Sequence, residues 1–386
     1  MTVTTPLGFR AAGIAAGIRS SGGPDLALVV NDGPGFAAAG VFTRNKVKAA
    51  PVLWSQQVLD TGRLRAVVLN SGGANACTGA EGFRTTHATA EAAADALGCG
   101  AVEIAVCSTG LIGAQLPREK VLAGVKAAVD ALDTTADAGR AAATAIMTTD
   151  TVAKEAAHAD PAGWSVGGIT KGAGMIAPSM ATMLAVLTTD AAVDAAVLDA
   201  ALRAAVRVSF DRLDVDGSMS TNDTVLLLAS GASGVAPDPA AFTAAVTAVC
   251  RDLARQMQAD AEGVTKRITV RVTGAVTEDD AVTVARTVAR DSLVKTALFG
   301  CDPNWGRIAA AAGYAGADLD PDRLDVAING VTLCRGGVVT GDPAATDLTG
   351  PEVVVEVGLG LGDGTAEILT TDLSHAYVEE NSAYPT

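Results

Sequence analysis

KGAGMIAPSMATML, Lys171 to Leu184, runs directly into the apolar triplet Ala185–Leu187, and the reading of the whole chain turns on this stretch. Lys171 leads a Gly-rich loop with Gly172 and Gly174, Pro178 and Ser179 make a turn, and Ala181-Thr182 opens a strand-like run over Thr182–Thr188. A threonine at the head of a strand, after a tight loop ending in a small residue, is where a self-cleaving hydrolase-type enzyme would place its nucleophile. Scission of the Ala181–Thr182 bond would give Thr182 a free α-amine beside its own hydroxyl. That amine is the general base an N-terminal threonine nucleophile needs.

On either side of this stretch, short apolar runs alternate with Ala-rich helical segments. Leu26–Val30, Gly40–Thr43, Arg65–Leu69 and Glu103–Val106 read as strands, and His87–Leu97, Glu119–Leu132 and Ala138–Ile146 as helices. Beyond Thr188 the pattern continues, with helices expected over Ala192–Val206, Pro239–Ala259 and Ala281–Asp291 and from Asn304 to Ala312. Strands are expected at Thr224–Ser230 and Val264–Val272. Glu352–Thr371 reads as a hairpin about Asp363-Gly364. Strands and helices mixed along the whole length mean an α/β or α+β fold. No 20–50-residue repeat and no low-complexity linker interrupts the 386 residues.

Aromatic residues are only 3% of the chain against 49% hydrophobic, so the core must be built from Ala, Val and Leu. A formal charge of −15 argues against nucleic acid as a partner, which requires a basic footprint. The N-terminus has no basic segment ahead of its apolar residues, so no secretory signal is expected. No unbroken apolar run reaches the length of a membrane span. The six cysteines are scattered without a C-x-x-C pair, which reads as buried thiols in a reducing cytoplasm.

The three histidines, His87, His158 and His375, have no ligand spacing to one another or to a cysteine, so no metal site is expected. Their scarcity also argues that any catalytic base is not histidine. An α-amine, with an ordinary pKa of about 7.7–8.0, serves near neutral pH without one. Ser108-Thr109-Gly110 follows a strand and offers a hydroxyl and backbone N–H groups. It reads either as an oxyanion hole or as an ordinary strand-to-helix cap. Lys171 reads either as a cation that lowers the pKa of a neighbouring amine or as a solvated loop lysine. Asp302–Arg307 either orients a ligand or caps the helix that follows. Gly358–Gly364 (GLGLGDG) fails as a dinucleotide loop, because Asp363 stands where glycine is needed and no helix follows.

Taken together these segments resemble a known family. KGAGMIAPSMATML, AVCSTGLIG (Ala105–Gly113), AIMTTDT (Ala145–Thr151), DAEGVTK (Asp260–Lys266), LVKTALFGCDPNWGRI (Leu293–Ile308) and YVEENSAY (Tyr377–Tyr384) are similar, in the same order, to segments of the ornithine acetyltransferase family. These are the glutamate N-acetyltransferases of the cyclic arginine pathway, and the likeness is to actinobacterial members. The resemblance implies an α/β sandwich shared with self-processing aminopeptidases, with helices outside stacked β-sheets. It implies cleavage between Ala181 and Thr182 into an α chain, 1–181, and a β chain, 182–386, assembled as α2β2 in the cytoplasm.

Within that resemblance Thr182 is the nucleophile and Thr109 and Gly110 form the oxyanion hole. Thr148, Lys171, Thr182, Glu262, Asn381 and Thr386 bind substrate, with Thr149 the alternative to Thr148. The implied reaction moves acetyl from N2-acetyl-L-ornithine to L-glutamate through an acetyl-threonine, without cofactor or metal. Some members also take acetyl from acetyl-CoA, and no residue here decides that question. A donor and acceptor sharing an α-amino acid head can use one pocket in turn, so ping-pong transfer suits the chemistry. The C-terminal tail, docked on the body, is a candidate lid over that pocket. A self-processing amidohydrolase or aminopeptidase, with water as acceptor, is the competing enzyme. A non-enzymatic binding protein that stays uncut is the third reading.

Overall fold

The computed structural model describes residues 1–177 and 183–383, which form two compact units. The first comprises residues 1–211 and 218–257, the second 212–217 and 258–383. Ala181, Thr182 and Thr386 lie outside the described residues, as does the cleavage point expected between the first two.

Two sheets build the first unit. One has the order β1-β2-β4-β5, from β1 (Phe9–Ile14), β2 (Leu26–Asn31), β4 (Ala66–Asn70) and β5 (Ile104–Ser108). The other has the order β3-β9-β8-β7-β6, from β3 (Ala37–Phe42), β6 (Lys154–Asp160), β7 (Trp164–Lys171), β8 (Leu184–Thr189) and β9 (Thr224–Ala229). Strands β2, β4, β8 and β9 are buried along their whole length. Their near-continuous apolar runs are therefore strands covered on both faces rather than alternating surface strands. Leu26–Val30 and Ala66–Leu69 of one sheet share a single apolar core with Ile169, Leu184, Val186, Leu226 and Leu228 of the other. The sheets are thus stacked. They are flanked by α1 (Ala50–Leu59), α2 (Gly79–Leu97), α3 (Arg118–Asp130), α4 (Ala136–Ala145), α5 (Ala195–Arg207) and α6 (Pro239–Ala259).

With so few aromatics, helix and sheet approach closely through small side chains. At Gly13 on β1, a Cβ would stand 2.0 Å from the Ala141 carbonyl oxygen of α4, so only glycine lets the helix lie there. At the sheet edge, α1 ties down β5. Trp54 Nε1 donates to the Ile104 carbonyl at 2.9 Å, and Ser55 Oγ donates to the Val106 carbonyl at 2.7 Å while accepting Val106 N–H at 2.9 Å. Satisfying an edge strand in this way fixes the direction in which β5 leaves the sheet.

The second unit carries the sheet β13-β12-β11-β14-β10-β15, from β10 (Arg267–Ala275), β11 (Asp325–Ile328), β12 (Val331–Arg335), β13 (Val338–Val339), β14 (Glu352–Gly358) and β15 (Gly364–Thr371). Its helices are α7 (Glu278–Arg290), α8 (Ser292–Phe299), α9 (Trp305–Gly313) and α10 (His375–Ala383). Alternation is clean on β10, where Ile268, Val270 and Val272 are buried against Val284 and Val288 of α7 and Ile308 of α9.

Several expectations are corrected here. Glu352–Thr371 is not a hairpin, because β10 lies between β14 and β15, parallel to the first and antiparallel to the second. The GLGLGDG loop arches over the end of β10, with Leu359 N–H donating to Thr273 O and Leu361 N–H to Gly274 O. Lys171 is not a loop residue but the last residue of β7. The tail is helical as α10. Asp302–Arg307 contains a helix cap, Asn304 Oδ1 accepting Arg307 N–H at 3.2 Å.

Replacing Gly13 with Ala should lower stability by about 1–3 kcal/mol, the usual cost of overpacking. A denaturant midpoint equal to that of the unaltered chain would contradict the contact between β1 and α4.

Candidate active site

In the first unit, β5 delivers Ser108 into a turn held from several sides. Thr109 N–H donates to the Asn70 carbonyl at 2.9 Å, and Gly73 N–H returns to the Thr109 carbonyl at 3.0 Å. Asn70 Nδ2 donates to Ser108 Oγ at 2.7 Å, and Asn222 Nδ2 reaches both the Ser108 carbonyl, at 2.8 Å, and the Ala74 carbonyl, at 2.6 Å. Gly110 has φ +127, and a Cβ there would lie 2.9 Å from Gly73 N. A side chain is barred on both counts. Thr109 is buried and Gly110 exposed, and no acceptor meets the Gly110 N–H among the described residues.

The fully buried Lys171 reaches this turn. Its Nζ donates to Thr109 Oγ1 at 3.3 Å and lies 4.0 Å from Asp150 Oδ2. Because the threonine oxygen accepts from the lysine, its own O–H is left to donate elsewhere. Asp150 gathers the surrounding chain. Oδ1 accepts from Lys154 Nζ and from Gly172 N–H, both at 2.7 Å, while Oδ2 accepts Thr148 N–H at 3.0 Å. Burial works to raise the Asp150 pKa, but the charges of Lys171 and Lys154 and these hydrogen bonds overcome it. The carboxyl is brought down from the ordinary 3.8 to about 2. A second buried carboxyl, Asp223, goes the other way. Burial pushes it well above 3.8, and the Met183 N–H, the Ser220 hydroxyl, the Lys171 charge and the Thr43 hydroxyl only partly oppose that.

Thr109, Gly110, Lys171 and Thr148 are therefore brought together, the last through Asp150. In the second unit Glu262 is buried and accepts from Asn381 Nδ2 at 2.9 Å, pairing two more of the expected residues. That contact depends on a latch at Gly263. Ser374 Oγ donates to the Gly263 carbonyl and accepts Tyr377 N–H at 3.0 Å, seating the first turn of α10 against the glycine. Tyr377 is pushed up to about 12 by burial and by the charges of Asp216 and Glu262.

Asp150, Lys154, Asn70, Asn222 and Asp223 were not singled out from the sequence. The signal for Asp223 was its place, a carboxyl directly before the apolar run TVLLLA. Asp150 sat inside a segment read for its threonines. Among the described residues, no group of three or more His, Cys, Asp or Glu is arranged to hold a metal ion. No helix among them is long and apolar enough to cross a membrane.

The stacked sheets thus carry a strand-end turn, Ser108–Gly110, beside a buried lysine. Known proteins match over the full length. The chain is 65% identical to a protein of Mycolicibacterium paratuberculosis, covering 99% of this chain and 96% of that one. It is 60% identical to a protein of Streptomyces coelicolor over the whole of both. Each of these relatives is called arginine biosynthesis bifunctional protein ArgJ. A crystal structure of ornithine acetyltransferase from Mycobacterium tuberculosis, complexed with ornithine, is 62% identical over 47% of this chain and 96% of that chain, with a TM-score of 0.46. The chain belongs to the ArgJ family, whose model matches residues 10–386.

Asp150→Asn would leave buried lysines facing a neutral amide, so it should cost about 3–5 kcal/mol at neutral pH. The depressed carboxyl contributes stability that is complete above the ordinary 3.8 and is lost as pH falls through about 2. Acid unfolding followed by circular dichroism should therefore show a component between about pH 4 and 2 that the variant lacks. Identical acid limbs would contradict the ionised Asp150.

Proposed function

We propose that the protein is a glutamate N-acetyltransferase of arginine biosynthesis that matures by cutting its own chain between Ala181 and Thr182. Thr182 attacks the acetyl carbonyl of N2-acetyl-L-ornithine, its hydroxyl proton passing to its own α-amine. The tetrahedral oxygen is met by the Thr109 O–H and the Gly110 N–H. Ornithine leaves with the proton, and L-glutamate then takes the acetyl group from the threonine ester. The observation that carries this reading is the hydrogen bond of buried Lys171 to Thr109 Oγ1, which turns the threonine O–H outward as a donor beside the exposed Gly110. A donor polarised by a neighbouring cation is stronger where negative charge develops.

Thr148, Lys171, Glu262, Asn381 and Thr386 hold the amino acid head groups and the ornithine side chain in this reading. The relatives' description as bifunctional supports a second donor, acetyl-CoA, at the same threonine. The two pieces, 1–181 and 182–386, remain together as α2β2. Six free cysteines fit a reducing compartment, the cytoplasm.

Intact mass under denaturing conditions tests the cut. Two pieces are expected, the second beginning at Thr182, whereas Thr182→Ala should stay whole and inactive. In an acetyl-transfer assay, Thr109→Ala should mature yet turn over about 10²–10³-fold more slowly. Unchanged turnover would remove Thr109 from the oxyanion hole. Acetate released at full rate without glutamate would replace this reading with the hydrolase.

A further inference from the structure

Asp223 stands directly before β9 and is completely buried. Its Oδ1 accepts the backbone N–H of Met183 at 3.1 Å. The next residue completes a clamp, Thr224 N–H donating to the Met183 carbonyl at 3.2 Å. Both backbone groups of Met183 are thus pinned by consecutive residues. Asp223 Oδ2, by contrast, is buried without a hydrogen-bond partner among the described residues. An unpaired buried polar atom costs about 1–3 kcal/mol, and natural proteins carry few of them.

The groups facing this carboxyl are few. Lys171 at the end of β7 supplies a formal charge acting on it, with Asp150 beyond that lysine. Ser220 before β9 and Thr43 after β3 offer hydroxyls, and Met183 before β8 offers its amide. None of them occupies Oδ2.

Met183 is the residue that follows Thr182 in the chain. Residue 182 is the covalent neighbour of Met183, so its α-nitrogen is one residue along the chain from the amide that Oδ1 holds. Cleavage would convert that nitrogen from an amide to an amine. We propose that Asp223 is the counter-group of this amine: Oδ1 positions the backbone at Met183, and Oδ2 accepts from the α-ammonium that forms as the amine takes the Thr182 hydroxyl proton. This role rests on the self-cleaved transferase reading and deepens it.

The step balances. The Thr182 Oγ–C bond forms while the hydroxyl proton moves to the amine, and the ammonium returns that proton to the departing nitrogen as the C–N bond breaks. Asp223 remains a carboxylate through both transfers and is a positioning residue. An aspartate that orients and stabilises the protonated form of a catalytic base plays this part behind the histidine of a serine-protease triad. The pairing also accounts for the orphan oxygen. Burial disfavours the ionised form of this carboxyl, and scission would supply a second cation beside it in addition to Lys171.

Asp223→Asn in the full chain tests this, since it keeps the size of the side chain and the acceptor for Met183 but removes the charge. The variant should mature and melt within a few degrees of the unaltered enzyme. Its kcat should fall by about 10–10²-fold with the KM for N-acetylornithine unchanged. A neighbouring carboxylate raises an amine's pKa, so its loss should move the acidic limb of the pH–rate profile to lower pH. A wild-type kcat with an unmoved limb overturns the proposal. Should the variant not fold, the unaltered enzyme labelled with 15N-methionine serves instead. The Met183 amide should titrate with the same midpoint as acetyl transfer, and an amide that does not move across that limb also overturns it. Intact mass separates the two levels. An uncut wild-type chain removes the amine and defeats the maturation reading along with this one, whereas a cut wild type with an unaffected Asp223→Asn defeats this one alone.

Discussion

The arrangement around the Ser108–Gly110 turn depends on one buried carboxylate. Asp150 accepts from the turn after α4 through Thr148, from the start of β6 through Lys154 and from the end of β7 through Gly172, and it faces Lys171 as well. Lys171 then crosses from the second sheet to Thr109, which follows the last strand of the first. A single charge thereby registers the two layers of the sandwich against each other at the point where chemistry is expected. Isolated buried ions are expensive, and here geometry and hydrogen bonds offset that cost. The same requirement explains why these side chains are among the least exposed charged groups of the chain.

Asp150 and Asp223 illustrate how one lysine can sit between two carboxyls of opposite behaviour. Both are buried, yet the charges and hydrogen bonds around Asp150 bring its pKa down while burial outweighs the groups around Asp223 and pushes its pKa up. Environments that push two like groups apart in pKa are a recurrent device for separating a structural charge from a group that responds to chemistry. In the second unit the pairing of Glu262 with Asn381 is of a different kind. It depends on a glycine backbone, Gly263, against which the final helix rests.

Much of this was legible from the residues, and the failures share a cause. Helix α6 was read at its true limits because its apolar spacing is helical throughout and Pro239 marks its start. The turn at Ser108–Gly110 was found because an apolar strand stops abruptly at small polar residues. The hairpin about Asp363-Gly364 was misread because turn chemistry speaks only of neighbours in sequence. Insertion of β10 between β14 and β15 is a long-range fact that leaves the local pattern unchanged. Lys171 reads as a loop residue for a related reason. A lysine at the end of WSVGGITK looks solvated until its distant partners, Asp150 and Thr109, are known. Asp223 carries little local signal, because its partner Met183 is forty residues away in sequence.

The order of the second sheet, β3-β9-β8-β7-β6, has a consequence for a chain severed between Ala181 and Thr182. Strands β8 and β9 would belong to the later piece and β3, β6 and β7 to the earlier one. The later pair is enclosed, β8 laddered to β7 and β9 laddered to β3. Two such pieces are woven together, and neither can leave without stripping out the middle of a sheet. Native cohesion would survive the loss of the peptide bond. Recovery from denaturation would not be the same, because the pieces must find each other again in solution. Refolding thus changes from a concentration-independent event to an encounter between two molecules, and the mature protein would be durable through slow unraveling rather than ready reassembly.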